Sequence, residues 1–187
     1  MTPQQQSAIL AVVQELQIAV RQQKRKQQKE AIRQLVAMRA QMGAQWQAIA
    51  NIALQIGELS LAREAIDCLV ETGGDTSLAQ YHKALLLEQC GDLDEAYALL
   101  RTLPRDTPNP VTNAYRRGVT ALYLGKAEEA RSEFEGATRL QPRMGVAWLM
   151  LATSVDLGSE TEVADRIVAA GREMDQAEPA ERAQTPH

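Results

Sequence analysis

The chain has 187 residues, a formal net charge of −4, and 45% hydrophobic but only 4% aromatic residues. Its two cysteines, Cys68 and Cys90, form neither a C-x-x-C pair nor a Cys/His cluster, which argues against a disulfide framework or structural zinc site. No run approaches the roughly 18 consecutive apolar residues that a membrane-spanning helix needs.

Ala, Leu, Gln and Glu dominate, a profile that suits helix packed on helix and suits sheets poorly. The expected class is all-α. The first residues, MTPQQQS, lack the basic and apolar regions of a secretory signal. Together with the unpatterned cysteines this leads to the expectation of a reduced, cytoplasmic protein.

The first segment, 1–42, is basic. It carries Arg21, Lys24, Arg25, Lys26, Lys29, Arg33 and Arg39 against Glu15 and Glu30, a local charge of +5 that leaves −9 for the remainder. No Gly or Pro interrupts it after Pro3, so helix is expected. Apolar residues cluster from Ile9 to Val20 and again from Ile32 to Met42, with the polar run RQQKRKQQKE between them. That break speaks against an uninterrupted coiled coil. Two readings stand. The arm bends near residues 22–28 into a divergent helix pair that caps the rest of the chain, which is preferred, or it is one long helix whose first apolar patch contacts a second copy of the chain. The basic run lacks interleaved aromatics and falls on more than one helix face, so it reads as a solvated face rather than a nucleic-acid contact.

From residue 43 the chain repeats itself. Gly57, Gly91 and Gly125 stand 34 residues apart, and Ser159 continues the series. Five residues after each comes an alanine (Ala62, Ala96, Ala130, Ala164), and four later an apolar residue (Ile66, Leu100, Phe134, Val168). Pro108 and Pro142 end the second and third units. Glycine suits a tight interhelical turn, alanine a close helix crossing, and proline a helix stop. The spacing divides the chain into units 43–76, 77–110, 111–144 and 145–176, followed by a flexible tail, 177–187.

With Trp46 and Trp148 near the start of the first and fourth units, Gly118 in the third, and GKAEEARSEFEGATRLQP closing it, this pattern resembles the tetratricopeptide repeat (TPR) family. The resemblance implies a right-handed α-solenoid of helix pairs preceded by the basic helical arm. It also implies that the first helix of each unit lines a concave groove. By that resemblance the groove would hold Gln47, Asn51, Leu54 and Gln55, then Tyr81, His82, Leu85 and Glu88, then Tyr115, Arg116, Val119, Leu122 and Tyr123, and last Leu149, Met150, Thr153 and Asp156. Ten of these form the expected partner-binding set: Asn51, Tyr81, His82, Leu85, Tyr115, Arg116, Val119, Tyr123, Leu149 and Met150. The family's clamp for a carboxylate-ended chaperone peptide is matched only at Asn51 and Arg116, and both of its lysines are missing, which counts against that ligand. The mixed aromatic and aliphatic set instead suits a peptide or helix.

Catalytic patterns are missing. The two histidines, His82 and His187, have no partner spacing for a triad, and no HExxH or Gly-rich phosphate loop occurs. The expected function is a non-enzymatic scaffold or adaptor that binds a protein or peptide without a cofactor or metal. Two other readings remain open. In one these repeats precede the catalytic domain of a longer enzyme, as in sulfotransferase-like TPR proteins. In the other, residues 1–42 make the chain a homo-oligomer.

Overall fold

In a computed structural model the described residues are 2–73, 75–155, 158 and 160–182. They are all-helical, and the elements are α1 (Pro3–Arg21), α2 (Arg25–Ala37), α3 (Trp46–Gln55), α4 (Leu59–Glu71), α5 (Thr76–Cys90), α6 (Leu93–Thr102), α7 (Pro110–Tyr123), α8 (Ala127–Leu140), α9 (Gly145–Thr153) and α10 (Thr161–Arg182). The chain forms two compact units, Met1–Leu99 and Leu100–His187, and the division falls within α6, inside the predicted second repeat.

Local chemistry sets the helix ends. The Thr2 hydroxyl accepts from the Gln5 amide, the Gln5 side chain accepts from the Thr2 amide, and Pro3 opens α1. Asp75 accepts from the Ser77 and Leu78 amides at the start of α5, and Asn109 does the same for Thr112 at the start of α7. Gly57, Gly91 and Gly125 have φ of 75°, 88° and 72°, the left-handed conformation that lets a helix stop and turn back. The residue after each, Glu58, Asp92 and Lys126, donates to the carbonyl five places earlier, at Ala53, Leu87 and Ala121. The 34-residue period is thus written in the backbone hydrogen bonds.

In unit Met1–Leu99, α1 and α2 pack as a hairpin, α2 contacts α3 and α4, and α5 packs on both α3 and α4. The arm is therefore a helix pair in this structure and not one long helix. It also keeps the repeat register: Gln23, 34 residues before Gly57, has φ of 52°, and Lys24 donates to Ala19 five places back. Gln28 stands where later pairs have alanine. It is buried, and its Nε2 donates to the Ala19 carbonyl at 3.0 Å across the hairpin. Ile32, in the register of Ile66, is fully buried.

In unit Leu100–His187, α7 packs on α8, α8 on α9, and α9 on α10. Ala114, Ala137 and Ala147 form an apolar cluster that joins α7, α8 and α9. Small residues at this junction let the helix axes come close.

The alanines after the turn glycines, Ala62, Ala96 and Ala130, are completely buried, and so are Leu100 and Phe134. The fourth unit departs from the pattern. Ala164 is only half-buried and Val168 is 51% exposed, because no later helix pair covers α10 among the described residues. Helix α10 runs to Arg182, six residues into the segment expected to be a flexible tail. Ser159, Asp156 and residues 183–187 lie outside the described residues.

Candidate functional site

Helix α7 has a packed side and an outward side. Its inward side is held by polar groups. The Asn113 amide donates to the carbonyls of Pro104 (3.1 Å) and Thr107 (2.7 Å). The Arg117 guanidinium, 4% exposed, donates to the Leu100 carbonyl at 3.0 and 2.7 Å and lies 3.7 Å from Glu133. The Arg117 bonds are charge-assisted and satisfy the Leu100 carbonyl in the last turn of α6, while Asn113 satisfies carbonyls of the loop that follows. Arg105 adds a 2.8 Å ion pair to the same Glu133.

The outward side of α7 carries what the packed side has no need of. Tyr115, Arg116, Val119 and Leu122 are half-buried and Tyr123 is 71% exposed. Tyr115, Val119 and Tyr123 recur every four residues, so they share one stripe. The Tyr115 ring packs against the alanine cluster and stands 6.1 Å from the Phe134 ring, which fixes the inner end of the stripe.

Helix α9 is apolar around its whole circumference: Ala147, Trp148 and Leu151 are buried, while Val146 and Leu149 are exposed and Met150 is half-buried. A short helix with no polar face has more apolar surface than its own unit covers. Trp148 is anchored by its Nε1, which donates to the Pro142 carbonyl at 2.8 Å, and the Arg166 guanidinium stands 5.8 Å from its ring centre.

The ten expected binding residues divide into two groups. Asn51 on α3 is exposed, and Tyr115, Arg116, Val119, Tyr123, Leu149 and Met150 all keep accessible surface. Tyr81, His82 and Leu85 on α5 are buried. With α5 packed on both α3 and α4, residues 79, 81, 82, 84, 85 and 86 are all covered, well over half of its circumference. The Tyr81 and His82 rings meet edge to face at 5.6 Å, and burial lowers the His82 pKa to about 4. As placed, these three side chains pack the core and offer a partner no surface.

Sequence reasoning missed Val146, which extends the α9 face. It also missed an apolar groove between α1 and α3, lined by Val13, Leu16, Val20, Met42, Ile49 and Ile52, with a volume of about 470 Å³. The signal was present: apolar residues of 9–20 occupy more of α1 than contact with one partner helix requires.

The profile of the tetratricopeptide repeat matches residues 48–110 and 115–164, over half of the sequence. The chain belongs to the tetratricopeptide repeat family. No curated protein matches it in sequence. Among solved structures this TPR chain is similar to a double mutant of MamA RS-1, at 13% identity and TM-score 0.69, covering 90% of this chain and 97% of that one. It is similar to PilF of Pseudomonas aeruginosa at 20% identity and TM-score 0.67, covering 92% and 77%. It is also similar to YrrB, described as a TPR protein with an unusual peptide-binding site, at 12% identity and TM-score 0.58, covering 89% and 88%. At these identities the likeness concerns the fold, an α-solenoid built of helix pairs. Among the described residues no helix is long and apolar enough to cross a membrane.

Proposed function

We propose that this TPR protein is a non-catalytic scaffold. In this reading it holds a peptide or helix of a partner protein on the outward faces of α7 and α9. The observation that carries it is the exposure of large apolar side chains, above all Tyr123 at 71% and Leu149 at 59%, on helices anchored elsewhere by the buried Arg117–Leu100 bond and the part-buried Trp148–Pro142 bond. Tyrosine supplies broad contact area at low entropic cost, and aliphatic neighbours supply the apolar floor. A TPR neighbour described as peptide-binding is consistent with this use of the fold. Exposed Cys90, with no disulfide, fits work in a reducing compartment.

The test is selection of a displayed peptide library on the wild-type chain, followed by calorimetric titration of the selected peptides. Tyr123→Ala and Leu149→Ser should each weaken binding while the far-ultraviolet dichroism and melting temperature stay near wild type. Selected peptides that bind both variants as tightly as wild type would move the site off this face.

A further inference from the structure

The arm's seven cations divide by place. Lys29 pairs with Glu58 at 2.7 Å, Arg33 with Glu30 at 2.8 Å, and Arg39 with Glu71 at 2.8 Å, so these three neutralise carboxylates of α2 and of the α3–α4 pair. The other four, Arg21, Lys24, Arg25 and Lys26, stand at the α1–α2 turn. All are exposed, with no carboxylate in ion-pair range among the described residues. Arg21 ends α1 and Arg25 opens α2, so the four lie within about one helical turn of the hairpin's end. That spacing is comparable to the Debye length of about 10 Å at 0.1 M salt, and an anion meets them as one field. A concentrated positive tip thus projects from a chain whose net charge is −4.

We propose that the tip of the α1–α2 hairpin docks the chain onto an anionic lipid bilayer, with the four cations among the headgroup phosphates. This surface is separate from the α7 and α9 faces. The cations are split across a bend between two helices, where Gln23 has φ of 52°, and form no single stripe. Headgroups diffuse in the bilayer plane and gather around cations of any arrangement, whereas the fixed charges of a folded protein or a duplex need a matching row. Beside the cations, Ile18 and Val20 are 51% and 39% exposed in the last turn of α1. They lie within about 5 Å of Arg21 along the helix axis, inside the roughly 5–10 Å to which interfacial apolar groups sink. A cluster of four cations next to apolar helix surface is the composition that holds anionic headgroups, each cation adding about fivefold in affinity. Nucleic acid is disfavoured, because the first aromatic residue of the chain is the buried Trp46 and the tip offers no ring on which a base could stack.

The experiment sediments the full chain with sucrose-loaded vesicles, either of phosphatidylcholine alone or of phosphatidylcholine and phosphatidylglycerol in equal parts. The chain should pellet with the anionic vesicles and not with the neutral ones, less so as salt rises. Arg25→Gln/Lys26→Gln should lose about 25-fold in affinity at unchanged dichroism, and the charge-keeping Arg25→Lys/Lys26→Arg should bind like wild type. Arg139→Gln/Arg172→Gln removes two exposed cations from the other compact unit and should also bind like wild type. No pelleting with anionic vesicles, equal pelleting with neutral ones, or equal losses in the two glutamine variants would overturn the proposal. Salt-sensitive capture of polyglutamate by a chain that ignores vesicles would overturn it too, assigning the tip to an acidic protein.

Discussion

Phe134 lies so close to Gly118 that a Cβ built on the glycine would stand 2.6 Å from its Cε1 and 2.7 Å from its Cδ1. Glycine in the middle of α7 costs about 1 kcal/mol of helix propensity relative to alanine, so space and not backbone freedom explains it. Phe134 is fully buried, so any shift of its ring has to be taken up by packed neighbours. Gly118→Ala is therefore expected to destabilise by about 1–2 kcal/mol, since overpacking outweighs the propensity gain. Phe134→Leu in the same chain should recover part of that loss. Thermal denaturation of the two single variants and the double variant checks the coupling, and a raised melting temperature for Gly118→Ala alone would contradict it.

Ala130 is fully buried, whereas Ala127, one turn earlier on α8, is exposed. Ala130→Leu should cost about 1–3 kcal/mol and Ala127→Leu close to nothing. Denaturant midpoints compared at equal slope would show the difference. Equal midpoints would mean that the α7–α8 crossing tolerates bulk.

His82 makes stability depend on pH. Burial lowers its pKa to about 4 from an ordinary 6.5, and neither ring nitrogen has a hydrogen-bond partner among the described residues. Between those values the unfolded chain binds the proton and the folded one does not. Stability is therefore complete above pH 6.5 and is lost as pH falls toward 4. From pH 7 to pH 5 this group should cost about 2 kcal/mol. His82→Leu should remove that part of the slope, leaving only what the carboxylates contribute. Parallel pH profiles of unfolding free energy for the two chains would count against a buried neutral imidazole.

Gln23 adopts φ of 52° where the later turns use glycine. A side chain in the left-handed region costs about 1–2 kcal/mol, so Gln23→Gly should stabilise the α1–α2 hairpin by up to about 1 kcal/mol, part of the gain being lost to the freer unfolded chain. Hydrogen exchange of the α1 and α2 amides would register it, and faster exchange in the variant would refute it.

That same residue shows why the arm was only partly legible. The period of 34 was plain from Gly57 onward because glycine and alanine mark turn and crossing by composition alone. At Gln23 and Gln28 the same backbone positions are filled by a residue type that carries no such mark, and the Gln28 amide bonds the Ala19 carbonyl where alanine would simply be small. The outward residues of α7 and α9, Val146 excepted, followed from the register that the family resemblance implies. Tyr81, His82 and Leu85 share that register, yet they are covered, since position within a unit says which way a side chain starts and not what stands over it. The α1–α3 groove depends on the spacing of two helices, a quantity no single helix encodes.

Trp46 and Trp148 occupy equivalent places, each indole donating to the carbonyl six residues earlier, Ala40 in one case and Pro142 in the other. One lies in Met1–Leu99 and the other in Leu100–His187, and the chain has no third tryptophan. Each compact unit thus holds its own fluorophore, fixed to its own backbone. In a Trp46→Phe chain, emission follows only the second unit, with the ring next to exposed Leu149. In Trp148→Phe it follows only the first, from a fully enclosed indole. Without any added label, light from one protein can say whether its halves melt together and which of them has met a partner.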